Sequence, residues 1–293
     1  MKKNLMLAVL TASFMWSSGV GFAKEATAPQ MHMPVIQGDI SDLPGVESIV
    51  FDKKSNAYFA SLQAGSTVGD GSIVMISADA KKVIKTVATG LNDPKGITIV
   101  GNQLYVGDLS QLVQVDLTTG VVTKHSPEGA QFLNDTVADS QGRIYVSDMF
   151  TSAIYRLEHG KVTLWMQSAE LENPNGLLFV KGDLYVAAWG RFTDGKPLNA
   201  TQGRLLKVNP KTKVITPVTA QALGNLDGLQ LDGKGNFIVS DWKKAAVYSI
   251  TPVGVVTQLL SLPQGAGDVF YSAQKKLLMV PMSREGKVRR YTW

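Results

Sequence analysis

A segment that reads as strand, turn and strand recurs along the chain, and this internal repeat limits the possible folds more than any other feature of the sequence. The two clearest copies span residues 134–148 and 227–241, and each has an Asp/Gly turn between two apolar strands. Aligned on their first polar residue, six copies begin at Glu47, Lys95, Asn134, Asn175, Asp227 and Asp268. We call these six positions the anchors.

The distance between successive anchors is typical of one architecture. Neighbouring anchors lie 39 to 52 residues apart, close to the ~40–50 residues of a four-stranded propeller blade. Further strand signals follow each anchor, joined by Gly, Asp and Asn turns that favour antiparallel hairpins. An open sandwich also has many short strands, but it does not explain six similar repeats. The sequence therefore predicts an all-β, six-bladed β-propeller with four antiparallel strands in each blade.

The last repeat is incomplete, which predicts how the ring closes. After Asp268 the sequence contains three strand signals before it reaches Trp293. Residues 33–40 precede the first anchor and can supply the missing strand. We expect this N-terminal strand to pair beside residues 287–293 as the outer strand of the last blade. Closure of this kind leaves only short, protected sheet edges.

The first residues predict export. Lys2 and Lys3 precede an apolar stretch, and small residues lead to Ala23, which is the pattern of a secretory signal peptide. A membrane anchor needs ~20 continuous apolar residues, whereas Ser17 and Ser18 interrupt this stretch. We expect a signal peptide over residues 1–23, one propeller domain over residues 24–293, no membrane span, and a periplasmic or secreted location.

Charge and cysteine content exclude some function classes. Without Lys2 and Lys3 the formal net charge falls from +5 to +3, and the basic residues are spread along the chain. This pattern argues against nucleic acid as a partner. The sequence has no cysteine, so it has neither a disulfide framework nor a thiol nucleophile. Stability must come from a large core, and a domain of this size can bury about three quarters of its unfolded surface.

The anchors also predict a binding site. The innermost strands of a propeller line its central channel, so the anchors at their starts should face one shared space. Among the anchors, Glu47, Asn134, Asn175 and Asp227 carry oxygen donors that are candidate ligands. Ca²⁺ prefers such donors, although a polar channel without an ion is the alternative. No histidine stands at an anchor, which disfavours zinc. We expect Ca²⁺, with another divalent cation as an option.

These anchors, with Pro174 before Asn175 and with the sequence Asp227-Gly228-Leu229, resemble the senescence marker protein/gluconolactonase/luciferin-regenerating enzyme family, which includes regucalcin. The resemblance covers the whole of residues 24–293. The donor order is also similar to the calcium sites of diisopropylfluorophosphatase and the paraoxonases. The resemblance implies that Glu47, Asn175 and Asp227 bind the metal directly. It also implies that Asn134 lies on the substrate side or completes the metal shell.

The same resemblance implies the chemistry of the site. It is hydrolysis of a lactone or a related ester, in which the ion polarises the carbonyl group. Asp227, or a carboxylate beside it, would accept the proton of the attacking water. Without such a base only electrostatic activation remains. The partner would be a small lactone or ester, and we expect the protein to be a monomer.

Two departures from the family pattern change the expected substrate. Sugar-lactone hydrolases of this family usually carry an arginine two residues before the asparagine that matches Asn134, but Phe132 stands here. Around the first donor the sequence is Gly45-Val46-Glu47-Ser48 in place of the usual Gly-Glu-Gly-Pro. Because a phenyl ring cannot hydrogen-bond sugar hydroxyls, these departures favour a more apolar ester, an aryl ester or a phosphoester as substrate, or no turnover at all.

Two function classes stay open on the sequence alone. The first is a calcium-dependent hydrolase, and the second is a non-catalytic propeller that contains calcium and binds a small ligand or a protein. A deep pocket with an apolar wall above the ion would favour catalysis, whereas a blocked channel would favour binding. A long insertion at residues 189–203 fits either a functional rim or a variable surface loop.

Overall fold

The computed structural model describes residues 32–65 and 67–293. The predicted signal peptide, residues 1–23, lies outside them, so cleavage and export stay predictions. The description below concerns Met33–Trp293, which forms one unit. No helix in the described part of the chain is long and apolar enough to cross a membrane.

Short strands account for almost all of the regular structure. In chain order they are β1 (Val35–Ile40), β2 (Val46–Asp52), β3 (Ala57–Leu62), β4 (Gly71–Ile76), β5 (Val83–Leu91), β6 (Pro94–Val100), β7 (Gln103–Asp108), β8 (Gln111–Asp116), β9 (Val122–His125), β10 (Leu133–Ala138), β11 (Ile144–Asp148), β12 (Ala153–Glu158), β13 (Lys161–Gln167), β14 (Pro174–Val180), β15 (Asp183–Ala188), β16 (Leu205–Val208), β17 (Ile215–Pro217), β18 (Leu226–Leu231), β19 (Phe237–Asp241), β20 (Ala246–Ile250), β21 (Val256–Ser261), β22 (Phe270–Ser272), β23 (Leu277–Met282) and β24 (Lys287–Thr292). Two short 3-10 turns, Ala169–Leu171 and Pro197–Asn199, lie between them.

The strands form six sheets of four, and each sheet is one blade. Blades 1 to 5 follow the chain as β2–β5, β6–β9, β10–β13, β14–β17 and β18–β21. Blade 6 has the order β22, β23, β24, β1. The first strand of each blade contacts the first strand of the next, from blade 1 round to blade 6 and back to blade 1. These six innermost strands therefore surround a central channel, and the predicted six-bladed propeller is confirmed.

Strand β1 closes the ring as the sequence predicts. It pairs antiparallel with β24, from Val35 opposite Thr292 to Ile40 opposite Val288. Ile40 is also buried in the apolar cluster that joins blade 6 to blade 1. The last blade therefore combines strands from both ends of the domain.

The apolar core lies between neighbouring blades. Each cluster of buried side chains combines two adjacent blades, and one of them joins Tyr145 and Ile154 of blade 3 to Leu184 and Leu206 of blade 4. In the same interface the rings of Tyr145 and Phe179 lie 5.0 Å apart. Burial of each large apolar side chain contributes about 1.5–3 kcal/mol. Because this burial needs a neighbour, each blade is stabilised by the next.

The innermost strands are irregular at the anchors. In β2, β6, β10, β14 and β18 the pairing with the second strand shifts register around the second residue. A β-bulge of this kind bends the strand and re-aims its side chains. Two glycines permit close contact here, because a Cβ at Gly96 would lie 2.1 Å from the Asp135 carboxylate and one at Gly176 would lie 2.1 Å from the Asp227 carbonyl oxygen. The bulges thus bring neighbouring blades together around the channel.

Serines on second strands tie the bulges to the next blade. The Ser61 hydroxyl donates to the carbonyl oxygen of Lys95 at 2.7 Å and accepts from the backbone N–H of Ser48 at 3.1 Å. Ser147 and Ser240 make the same kind of bridge in blades 3 and 5. These bonds pair backbone groups that the bulges remove from the strand ladder, so the anchors are held by polar contacts as well as by packing.

Candidate functional site

The four predicted oxygen donors occupy equivalent places in the ring. Glu47, Asn134, Asn175 and Asp227 are each the second residue of an innermost strand, and each is at most 4% exposed. The side chain of Asn175 hydrogen-bonds the carboxylate of Asp227, and the charge of Glu47 acts on the same carboxylate. The structure therefore brings Glu47, Asn175 and Asp227 together in the channel. Asn134 lies at the equivalent position of blade 3. We call these four residues the donor cluster.

Burial strongly affects the two acids of the donor cluster. It raises the pKa of Asp227 well above its usual value, and the charges of Glu47 and Asp268 raise it further. Burial also raises the pKa of Glu47, an effect that the ammonium of Lys95 partly offsets. Carboxylates removed from water in this way need a cation or hydrogen bonds as compensation. The cluster therefore attracts positive charge.

One polar atom of the donor cluster has no hydrogen-bond partner. The side-chain oxygen of Asn175 is buried, and no described residue donates a hydrogen bond to it. Buried polar atoms are nearly always paired, so an unpaired amide oxygen close to two acids indicates a place for a cation. Carboxylate and amide oxygens are also the ligands that Ca²⁺ prefers. On this observation the residues of the donor cluster fit a divalent cation.

A lysine stands inside the same cluster. Lys95 is the anchor of blade 2, and its side chain is 13% exposed. Its ammonium nitrogen lies 3.2 Å from a carboxylate oxygen of Asp93 and interacts electrostatically with Glu47 and Asp227. Burial lowers the pKa of Lys95, but these three acids outweigh that effect and raise the pKa above its usual value. Within residues 32–65 and 67–293 no three acidic, histidine or cysteine side chains alone form a metal cluster, so the amides are needed to complete any metal shell.

Phe132 forms part of an aromatic wall beside the donor cluster. Its ring stacks on Phe150 at a centroid distance of 4.8 Å and an angle of 16°, and Phe150 meets Phe192 edge-on at 5.5 Å. The Lys95 nitrogen lies 5.2 Å from the centre of the Phe132 ring, so the wall adjoins the charged groups directly. Phe150 is 39% exposed. An apolar surface next to the donor cluster is therefore accessible from solvent.

Two loops and the insertion supply this aromatic wall. The Asp148 carboxylate accepts hydrogen bonds from the backbone N–H groups of Phe132 at 3.2 Å and Phe150 at 3.0 Å. Phe192 belongs to the insertion at residues 189–203, which therefore contributes a ring to the wall. Phe150 and Phe192 were not predicted from the sequence, because no motif links these loop residues to Phe132. Lys95 was predicted as an anchor but not as a charged member of the site, although the nearby Asp93 was a signal.

A second acidic pair lies next to the donor cluster. Asp135 follows Asn134 in blade 3, and Asp268 precedes the innermost strand of blade 6, yet their side chains hydrogen-bond each other across the channel. Asp135 also accepts backbone N–H bonds from Thr136 at 2.7 Å and Leu177 at 2.6 Å. Burial raises the pKa of both carboxyl groups, that of Asp268 to about 7. Beyond this pair the innermost strands line a cavity of about 230 Å³.

Solved structures with a similar fold include both enzymes and binding proteins. A gluconolactonase from Xanthomonas campestris superposes with a TM-score of 0.68 at 15% identity, over 90% of this chain and 95% of that chain. Virginiamycin B lyase from Staphylococcus aureus superposes with a TM-score of 0.60 at 12% identity, over 87% of this chain and 98% of that chain. An auxiliary nutrient binding protein from Bacteroides thetaiotaomicron superposes with a TM-score of 0.64 at 13% identity, over 86% of this chain and 70% of that chain. At these identities the similarity shows the fold alone.

The family match is more specific than these structural similarities. A comparison with curated protein sequences found no match. The family described as SMP-30/Gluconolactonase/LRE-like region matches residues 47–279, which is more than half of the chain. The match begins at Glu47 and includes the other three predicted donors. The resemblance that these donors indicated is thereby confirmed, and the chain belongs to the SMP-30/gluconolactonase/LRE-like family.

Proposed function

We propose that the protein hydrolyses an apolar lactone or a related ester with the help of a divalent cation, with calcium as the first candidate. Membership of the family supports a lactonase-type propeller. The observation that carries the proposal is the buried, unpaired side-chain oxygen of Asn175, which lies with Glu47 and Asp227 in the channel. This group of atoms supports a cation beside the accessible aromatic wall, where the carbonyl group of an apolar substrate can approach it.

The residues of the donor cluster have separate roles in this proposal. Glu47, Asn175 and Asp227 hold the cation, and Asn134 faces the substrate or completes the shell. The bound ion supplies Lewis-acid activation of the ester carbonyl. Water adds to the carbonyl carbon, and a carboxylate oxygen of Asp227 accepts the proton that the water loses. The ester C–O bond then breaks, and the leaving oxygen takes that proton from Asp227, which gives a hydroxy acid from a lactone or an acid and an alcohol from an open-chain ester.

The aromatic wall supports an apolar substrate. Phe132, Phe150 and Phe192 offer ring faces and edges but no side-chain hydrogen-bond donor. A sugar lactone whose hydroxyl groups met this wall would lose bound water without new hydrogen bonds, at ~1–3 kcal/mol for each buried polar group. An alkyl lactone or an aryl ester avoids that cost and gains contact with the rings.

Lys95 favours a second candidate function. Its ammonium already compensates the charges of Glu47 and Asp227 in part, so the buried acids have a partner without an added ion. The propeller would then be non-catalytic, and the aromatic wall would bind a small apolar ligand. Export to the periplasm or the medium and a monomeric state stay predictions for both candidates.

An ester panel with and without calcium tests the proposed hydrolase. The purified protein is given an alkyl lactone, phenyl acetate and gluconolactone, first with calcium and then with a chelator. We expect the alkyl lactone or the aryl ester to be hydrolysed at least about tenfold faster than gluconolactone, the factor that ~1.4 kcal/mol gives. Both rates should fall to background on chelation. Asp227→Asn should abolish turnover, because it removes the proton acceptor and one ligand charge.

A matched control separates the site from the scaffold. Asp183 lies on a second strand and forms an ion pair with Lys207 at 2.6 Å, away from the anchors, so Asp183→Asn should retain the activity. Faster hydrolysis of gluconolactone would contradict the apolar pocket. If no ester is hydrolysed with calcium present, the non-catalytic candidate is favoured. Full activity of Asp227→Asn would remove Asp227 from the site.

A further inference from the structure

Lys95 occupies a position that the other anchors give to oxygen donors. It is the second residue of β6, as Glu47, Asn175 and Asp227 are the second residues of their own innermost strands. Its side chain is largely buried, at 13% exposure. A long, cationic side chain therefore projects toward the donor cluster from a blade that supplies no oxygen ligand.

The ammonium shares its partners with any metal ion in the cluster. Glu47, Asp93 and Asp227 act on the Lys95 ammonium, and Glu47 and Asp227 are also the two proposed charged ligands. Two positive charges a few ångströms apart repel each other strongly in a buried site. The ammonium and a divalent cation therefore cannot both approach Glu47 and Asp227 closely without a large loss of affinity.

Asp93 is the ion-pair partner of the Lys95 ammonium. Its carboxylate is 3.2 Å from the Lys95 nitrogen, and its side chain is 28% exposed, so it lies on the solvent side of the buried acids. The loop that carries it is held by Asp108, whose carboxylate accepts the Asp93 backbone N–H at 2.6 Å. A lysine side chain has a flexible four-carbon stem. The ammonium can thus stay paired with Asp93 and turn further away from Glu47 and Asp227 when a divalent cation approaches them.

From these contacts we infer that Lys95 is an internal competitor for the cation site and sets its affinity for divalent ions. The inference rests on the proposed function, because it uses the metal site of that proposal. The Lys95 ammonium is paired with Asp93, and its charge partly compensates Glu47 and Asp227 and repels an incoming divalent cation. The protein then binds a divalent cation more weakly than the same ligands would without the lysine. Lys95 is therefore a determinant of metal affinity and not itself a ligand.

Calcium and magnesium titrations of the purified protein test this inference without any enzyme assay. Isothermal titration calorimetry and thermal shifts are compared for the wild type, Lys95→Met, Lys95→Gln and Lys95→Arg. Methionine and glutamine keep much of the stem but remove the charge, and arginine keeps the charge. We expect the Kd for calcium to fall by at least about tenfold in Lys95→Met and Lys95→Gln. In Lys95→Arg it should stay within about threefold of the wild type or rise, because a charge is retained.

A surface lysine, Lys161, provides the control for the Lys95 variants. Lys161 is an exposed residue of β13, so Lys161→Met should leave the Kd unchanged. An equal Kd for the wild type and both neutral Lys95 variants overturns the inference, while the proposed metal site stands. Calcium binding by the neutral variants alone supports the inference and overturns calcium dependence of the wild type. If no variant binds either ion, both the inference and the metal site are wrong.

Discussion

Two groups of buried acids lie next to each other in the channel, and they are compensated in different ways. Glu47 and Asp227 face the ammonium of Lys95, which is a side chain with several rotatable bonds. Asp135 is held by backbone N–H groups from two blades and shares a hydrogen bond with Asp268. In the proposed function the first group binds a cation in competition with Lys95, whereas the second is held by backbone N–H groups. The comparison separates acids suited to binding from acids that hold the ring together.

Among the variants that test this comparison, removal of the Asp135 carboxylate should lower the free energy of unfolding most. Its carboxylate accepts from Thr136 in its own blade and from Leu177 in blade 4. Asp135→Ala leaves both buried N–H groups unpaired, at ~1–3 kcal/mol each. We expect the free energy of unfolding to fall by about 2–4 kcal/mol, measured by denaturant unfolding in a chelator near pH ~5, where repulsion from Asp268 is reduced.

Asp135→Asn is the matched control for this prediction. The asparagine side chain keeps one acceptor oxygen, so it can still pair with one of the two N–H groups and should lose about half as much stability. An unfolding free energy of Asp135→Ala equal to that of the wild type would show that these hydrogen bonds do not hold blades 3 and 4 together. The distinction between the two groups of acids would then fail.

The second prediction concerns the pH dependence of folding stability that arises from Asp268. Burial, with a further contribution from Glu47, raises the pKa of Asp268 to about 7, above the value of ~3.9 for an unfolded chain. Between these values the folded state binds more protons than the unfolded state, so stability is highest below the lower value and falls as pH rises toward the higher one. We expect a slope of at most about 1.4 kcal/mol per pH unit from this proton. Asp268→Asn should flatten the slope when unfolding is measured in a chelator.

The exposed Asp79 provides the control of opposite sign. A hydrogen bond from the Ser77 hydroxyl lowers the pKa of Asp79, so its stabilising effect is present above the unfolded value and is lost as pH falls. Asp79→Asn should therefore leave the slope between about pH 4 and 7 unchanged. A wild-type protein whose stability rises with pH across this window would contradict the protonated Asp135 and Asp268 pair.

The fold could be predicted because its information is repeated along the chain. Each blade has similar turns and strands, and the missing strand of the last repeat predicted the pairing of β1 with β24. The equivalent positions of Glu47, Asn175 and Asp227 followed from the same alignment. All of these features follow from local pattern and spacing. None of them depends on the direction of an individual side chain.

The remaining contacts could not be predicted because they depend on the bulges. Side chains alternate between the two faces of a regular strand, so Asn134 and Asp135 should point in opposite directions. The register shift between Leu133 and Thr136 changes this, and Asp135 reaches Asp268 across the channel. The contact between Lys95 and Asp93 arises at the corresponding irregularity in blade 2. Sequence periodicity identifies the anchors but not the directions that bulged residues take.

The smallest effect on stability is expected for Asp93, the ion-pair partner of Lys95. Asp93→Asn removes the acid closest to the Lys95 ammonium, but this ion pair is partly exposed, and such pairs contribute ~0–1 kcal/mol. Glu47 and Asp227 still act on the ammonium in the variant. We therefore expect the free energy of unfolding to change by less than about 1 kcal/mol in denaturant unfolding, well below the effect of Asp135→Ala. A loss as large as that of Asp135→Ala would mean that Lys95 has one fixed partner, and an ammonium fixed in that way could not give up its place to a metal ion.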